Sequence, residues 1–308
     1  MEKIKNRKEI KQPGAHSYVF SRYLEPIASV KPGEEVVIFT EDAFENRITK
    51  ESDLPSKVLG EYLNPQTGPV YIEGAEPGDT LVVHILDIEP TRDWAVSVLN
   101  PHFGGLTATN TTRLLHEPLP EKVWIYQLED GLLSYNERLT FPWNPFLGTI
   151  GTAPNLEALS ALTPLDHGGN MDVPDVKPGN SIYLPVNVEG AHFFTGDCHA
   201  AQGEGELCGV ALEISAKVTL KFDLIKNKKI NWPRIESPTE FMTVGSARPM
   251  EDAARIAYAE LIEWLEELGW DRLEAYQALT QIGKLYVGNM VDTNYSLVAK
   301  VEKKYALI

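Results

Sequence analysis

The densest chemistry in the chain lies in Gly196-Asp-Cys-His-Ala-Ala-Gln-Gly-Glu-Gly-Glu206, whose eleven residues include three acids, a histidine, a cysteine and a glutamine. Charged groups resist burial unless they are paired or bound to metal, so such a stretch is costly if packing is its only task. Asp197 and His199 are two apart. On an extended backbone both side chains leave the same face and can offer one carboxylate oxygen and one imidazole nitrogen to a single cation. Zn²⁺ accepts both ligand types at roughly 2.0–2.2 Å. The glycines at 203 and 205 let the backbone turn tightly and approach a ligand.

A second group is His167-Gly-Gly-Asn-Met-Asp172. Alone it reads as a surface loop, because Gly, Asn and Asp are ordinary turn residues. Beside the Asp197/His199 pair it gains a second reading, since zinc usually takes about four ligands and one pair does not satisfy it. Asp42 closes the apolar run 36–40 and is either a solvated acid at a strand end, the commoner case, or a carboxylate at the rim of a sheet. Cys198 offers a thiol nucleophile. It adjoins His199, however, and neighbours on a strand point to opposite faces, which favours a buried thiol behind the site.

These groups sit in a chain of 308 residues with a formal net charge of -16. So acidic a balance argues against nucleic acid, which selects a basic face, and against anionic membrane surfaces. Two cysteines do not make a disulfide scaffold. No run of about 18 apolar residues suggests a membrane span. The charged N-terminus lacks the apolar core of a secretion signal, so a cytoplasmic protein is expected.

The elements that must carry the groups are mostly strands. Lys31-Pro-Gly, Glu76-Pro-Gly and Lys177-Pro-Gly each run into a segment rich in Val, Ile or aromatic residues. That is the pattern of a type II turn feeding a β-strand, through common turn chemistry or through a shared way of entering one core. Residues 209–223 alternate as a half-buried strand, with apolar side chains at 212, 214, 216, 218, 220 and 222. The Pro-, Gly- and Asn-rich middle, about 90–175, reads as long loops. Beyond it Pro249, Glu251 and Asp252 open a helix that Gly269 stops, and Asp271 with Glu274 opens a second. The expectation is an α+β protein with a mostly β body, sandwich or barrel-like, and a C-terminal helical pair. One domain is expected over 1–308, β-rich over about 1–225 and helical over about 246–290.

Gly148-Thr-Ile-Gly-Thr-Ala-Pro154, the His167 segment and the Gly196 segment, in this order, resemble the acetamidase/formamidase family of amide hydrolases. Phe39-Thr-Glu-Asp-Ala-Phe-Glu-Asn-Arg-Ile48 is similar to that family's N-terminal strand and places its acid on Asp42, and the resemblance runs from about residue 15 to about 295. It implies hydrolysis of a small aliphatic amide to ammonia and a carboxylate, a bound divalent metal, and a homodimer or larger homo-oligomer. Zinc is the expected ion and calcium the alternative. On this reading Asp42, Asp172, Asp197 and His199 hold the metal. Glu206, and after it Glu204, moves the proton. His167 donates a proton or orients a neighbour, and Gly169 and Asn170 meet the substrate, Asn170 as a donor to the developing oxyanion. Two other readings stay open: a cysteine-dependent amidase using Cys198, and a non-catalytic metal- or carbohydrate-binding β module.

Overall fold

A computed structural model describes residues 7–107 and 118–307, so residues 1–6 of the charged N-terminus lie outside the described residues. Among the described residues the architecture is a pair of open sheets packed face to face, with two smaller sheets, two longer helices and two single-turn ones. The larger sheet has nine strands in the order Lys8–Ile10, Glu35–Thr40, Ala216–Ile225, Thr80–Pro90, Ser181–Pro185, Arg234–Glu236, Glu240–Ala247, Tyr295–Glu302, Lys284–Asn289. The facing sheet has five, in the order Gly168–Asn170, Phe146–Thr152, Phe193–His199, Gln66–Ile72, Ala28–Val30. Neither sheet closes on itself, so of the two expected body plans the sandwich is the one formed.

The three Pro-Gly turns lead into strands of the same nine-stranded sheet. Gly33, Gly78 and Gly179 have φ of 87°, 95° and 88°, and each turn closes with a bond from the residue after the glycine to the carbonyl two before it. This is the left-handed third position that a type II turn requires and that glycine meets without strain. The first two strands run the same way on either side of Ala216–Ile225, and Ser181–Pro185 runs opposite. The central strand keeps its alternation: Val218, Leu220 and Phe222 are fully buried, while Lys217 is exposed. These side chains share one core with Val70, Ile72, Leu147, Ile150, Phe193 and Cys198 of the facing sheet. Burial of this kind is worth about 25 cal/mol per Å² of apolar surface, and it locks the two layers in register.

The middle of the chain departs from the expectation of long loops. Trp94–Leu99, Lys122–Glu129, Leu132–Tyr135 and Leu139–Pro142 form a four-stranded antiparallel meander. Its strands are half exposed, so their apolar positions are diluted by polar ones and the period of two is hard to read. The helices form where their signals lie, at Met250–Glu267 after Pro249 and at Arg272–Ile282, with Asp271 accepting from the amides of Leu273 and Glu274. They are not a terminal appendage, because Lys284–Asn289 and Tyr295–Glu302 return to the large sheet. Their apolar faces, with Leu261, Trp264, Leu265 and Leu279, cover the sheet's outer side against Phe241 and Val301.

A buried ion pair rivets the longer helix to that sheet. Arg234 Nε donates to Glu260 Oε1 at 2.7 Å, and both side chains are 3% exposed. Removing one partner strands the other's charge in the interior. Arg234→Met is therefore expected to lower unfolding free energy by about 3–5 kcal/mol, and Arg234→Met with Glu260→Leu to recover most of it. Urea midpoints at constant slope check this; equal loss in the single and double variants would contradict it.

Candidate functional site

The strands Phe146–Thr152 and Phe193–His199 run antiparallel at the middle of the five-stranded sheet, with Phe146 opposite His199, Leu147 opposite Cys198 and Thr149 opposite Gly196. That register sets Gly148 beside Asp197. Asp197 and His199 emerge together, as their spacing suggests, while Cys198 points into the core. Asp197 carries φ of 54°, Asp172 49° and Glu206 49°. Left-handed backbone is uncommon outside glycine and persists where the surroundings hold it, often at functional sites.

Five carboxylates and one imidazole gather here. His199 Nε2 lies 3.4 Å from Asp197 Oδ1, 3.3 Å from Glu213 Oε1 and 3.9 Å from Asp172 Oδ1. Ligand atoms of Asp172, Asp197 and His199 lie within 4.8 Å of one another, and so do those of His199, Glu206 and Glu213. Asp292 completes the set from the turn after Lys284–Asn289, and the His199 ring packs edge-on against Phe146 at 4.9 Å. All of these side chains are buried.

Three asparagines pin the acids from outside. Asp197 Oδ2 accepts from Asn64 Nδ2 and Thr149 Oγ1, each at 3.1 Å. Asp172 Oδ2 accepts from Asn170 Nδ2 and Asn289 Nδ2, each at 3.0 Å. Asp292 Oδ2 accepts from the same two amides at 2.7 and 2.9 Å. The inner oxygens are treated differently: Asp172 Oδ1 and Glu213 Oε2 have no hydrogen-bond partner among the described residues. Between them the strand carries no side chain. A Cβ at Gly148 would lie 2.7 Å from Asp172 Oδ1, 2.8 Å from Asp197 Oδ2 and 2.8 Å from His199 Cε1. A hollow edged by two carboxylates and an imidazole, one of its oxygens free and the acids held from outside, suits a divalent cation.

The electrostatics agree. Burial, reinforced by neighbouring carboxylates, pushes Asp172, Glu206 and Glu213 well above the usual range. Burial also lifts Asp292 to about 7. For Asp197 burial pulls upward too, but the His199 ring and the hydrogen bonds to its carboxylate outweigh it and hold the group low. Burial, with Asp197 and Glu213 nearby, drives the Cys198 thiol up. A cavity of about 210 Å³ opens above the cluster, walled by apolar residues including Phe44, Leu59, Leu63 and Phe103, and no Lys or Arg is among its described lining residues.

The structure does not bring every residue expected from sequence to this point. Asp42 is buried but turned away: its Oδ1 accepts from the amides of Phe44 and Asn46, and its Oδ2 pairs with Arg92 at 2.7 Å. It shapes the turn that carries Ala43 and Phe44 into the cavity wall. Glu204 is exposed and lines a separate groove with Lys284 and Tyr286. His167 is fully buried against Phe20, burial lowers it to about 3, and neither ring nitrogen has a partner among the described residues. Gly169 packs against the carbonyl of Thr163 and does not reach the cavity. Asn170 does reach it, but both of its amide hydrogens are committed to Asp172 and Asp292. Glu213 and Asp292 were not expected. Glu213 sits between the apolar residues Leu212 and Ile214, where an alternating acid reads as solvated; Asp292 ends Gly288-Asn-Met-Val-Asp, which echoes Gly169-Asn-Met-Asp172 and could have marked it.

The sequence model of the Acetamidase/Formamidase family matches residues 5–163 and 155–298. An acetamidase structure from Yersinia enterocolitica is 43% identical with a TM-score of 0.94, covering 98% of this chain and 95% of that one. One from Bacillus halodurans is 33% identical with a TM-score of 0.88, covering 96% and 98%. The acetamidase of Mycolicibacterium smegmatis is 29% identical over 266 residues, 65% of this chain and 63% of the relative. The chain thus spans between about half and just under two thirds of the length of the curated relatives it matches.

The lifted carboxyl of Asp292 has a consequence for stability without a cation. Its folded form keeps a proton to about pH 7, whereas the unfolded chain releases it near 3.8. The folded state therefore binds more protons between those values, and this group's contribution, complete below the lower one, is lost as pH rises through the upper one. In metal-free protein, the stability of Asp292→Asn relative to the parent is expected to grow between those pH values by about 1.4 kcal/mol per pKa unit of displacement. Denaturant titrations across the window check it; a constant difference would show that Asp292 titrates normally.

Proposed function

The chain belongs to the acetamidase/formamidase family, and from that premise we propose that it hydrolyses a small neutral amide to ammonia and a carboxylate with the help of a divalent metal. The observation that carries this is the hollow at Gly148, where Asp172, through an oxygen with no hydrogen-bond partner among the described residues, Asp197 and His199 converge beside an apolar cavity. Asp172, Asp197 and His199 would hold the ion, with Glu213 and Glu206 grouped around the same imidazole. One imidazole among carboxylates fits zinc, and the many oxygens leave calcium as the alternative. When bound, such an ion polarises an amide carbonyl and acidifies a water.

The remaining work falls to this chain's own groups. Amide hydrolysis adds a hydroxyl to the carbonyl carbon, breaks the C–N bond and delivers a proton to nitrogen, because an amide anion is a poor leaving group. Glu206 lines the cavity, and burial raises it well above the ordinary carboxyl range. It can take a proton from water and return it to the departing nitrogen. The apolar wall of Phe44, Leu63 and Phe103 seats an uncharged acyl group and excludes bulk water. An anionic substrate finds no described cationic side chain there. A cysteine nucleophile is disfavoured, because Cys198 is fully buried, outside the cavity lining, and its thiol is pushed up.

Ammonia release from acetamide and formamide tests the reading and separates an enzyme from a binding module. Glu206→Gln is expected to lower kcat by about 10²–10⁴-fold while metal content stays near the parent's. Parent-like turnover in that variant would remove Glu206 from the mechanism. Gly148→Ala is expected to abolish metal loading, because its methyl group occupies the hollow; zinc measured by elemental analysis checks this. A chelator should silence the parent enzyme and thiol alkylation should not. The reverse pattern would restore the cysteine route.

A further inference from the structure

His199 has two ring nitrogens, and only one faces the carboxylates. Nε2 points at Asp197, Glu213 and Asp172, while Nδ1 lies 2.9 Å from Gln202 Oε1. Left to itself, a neutral imidazole in this nest would put its proton on Nε2, where three carboxyl groups could accept it. That tautomer has no lone pair at Nε2. The identity of the Gln202 atom that faces Nδ1 therefore decides what His199 can do.

The structure fixes that atom. The other end of the Gln202 amide, Nε2, is 2.9 Å from the carbonyl of Asp172 and 3.0 Å from the carbonyl of Gly288. Carbonyls only accept, so the NH₂ group must face them and the amide oxygen must face His199. An oxygen acceptor there requires a proton on Nδ1. We propose that Gln202 is a positioning residue which holds His199 in its Nδ1–H tautomer and so presents the Nε2 lone pair to the hollow beside Gly148. The same side chain ties the backbone of Asp172, itself in left-handed conformation, to the strand Lys284–Asn289. One amide thus aligns the imidazole and steadies the chain that carries a facing carboxylate. The use made of that lone pair rests on the metal reading above; the tautomer does not.

Two measurements test the assignment. The first is ¹⁵N NMR of metal-free protein labelled at histidine, at about pH 9 so that an ordinary imidazole is neutral, with His199→Gln identifying the His199 signals. Nδ1 is expected to carry a proton bonded to the Gln202 oxygen. A ring whose one proton sits on Nε2 overturns the proposal. The second is zinc affinity, measured by competition with a chromogenic chelator. Gln202→Met removes the acceptor and is expected to weaken zinc by about 10–100-fold, the usual cost of losing a partner that orients a ligand. Gln202→Glu keeps an acceptor at Nδ1 but loses the donors to the two carbonyls, so its affinity should stay within about tenfold of the parent's. Equal loss in both variants would mean that Gln202 only ties the loop, which also overturns the proposal. Should Gln202→Met not fold, the parent spectrum and Gln202→Glu still decide. If His199→Gln leaves zinc affinity unchanged, the ligand reading fails, while the spectrum of the parent still judges Gln202 alone.

Discussion

Everything around the site answers to one constraint, the burial of five carboxyl groups about a single imidazole with no lysine or arginine among the described residues of the cavity. Like charges in a low-dielectric interior cannot all ionise, so protons or a cation must share the space with them. The chain spends an unusual number of neutral donors on the problem. Asn64, Asn170 and Asn289 hold the outer oxygens of Asp197, Asp172 and Asp292. Neutral amides orient a carboxylate without discharging it. An arginine would have paired the acids and filled the hollow; of the guanidinium groups nearby, Arg92 is taken by Asp42 and Arg248 by the backbone carbonyl of Asp292.

Holding such a cluster together requires a stiff support. The five-stranded sheet supplies it by seating the groups on two adjacent strands and at their ends, while its other face is packed through Leu147, Ile150, Phe193 and Cys198 against the nine-stranded layer. A shift of one residue between Phe146–Thr152 and Phe193–His199 would bring a side chain opposite Asp197 and close the hollow. Register in a sheet buried on both faces is strongly specified by the apolar pattern. The left-handed backbone at Asp172, Asp197 and Glu206 is affordable for the same reason, because the packing on either side leaves those residues no relaxed alternative.

Much of this was legible in the residues, and the failures have physical causes. The Pro-Gly turns, the central strand and both helix starts follow local rules, and the structure keeps them. Asp172, Asp197, His199 and Glu206 were visible because polar groups crowd beside glycines. Glu204 and Glu206 looked equivalent in sequence, two apart, yet Gly205 and Glu206 adopt φ of 83° and 49° and send one acid outward and the other in. Asp42 carried the right residue type, but its oxygens are consumed by local amides and Arg92, a contact from distant sequence that no local pattern announces. Glu213 was hidden by its apolar neighbours, and Asp292 by the 120 residues separating it from Asp172, which only tertiary packing removes.

Two histidines in neighbouring motifs show how surroundings, more than residue type, set chemical capacity. His167 and His199 are both buried and both touch a phenylalanine edge. Among the described residues His167 has neither a charge nor a hydrogen-bond partner within reach, so burial alone governs it and it stays a neutral packing element. His199 has carboxylates at one nitrogen and an amide oxygen at the other. Its ring is polarised along one axis, with a fixed acceptor behind and acids in front. The difference comes down to Gln202 and Glu213, which lie three and fourteen residues beyond it and reach it through a turn and a β-bridge. A buried imidazole becomes a directed base or ligand only when both nitrogens are addressed, and the chain does this once in its two candidate motifs.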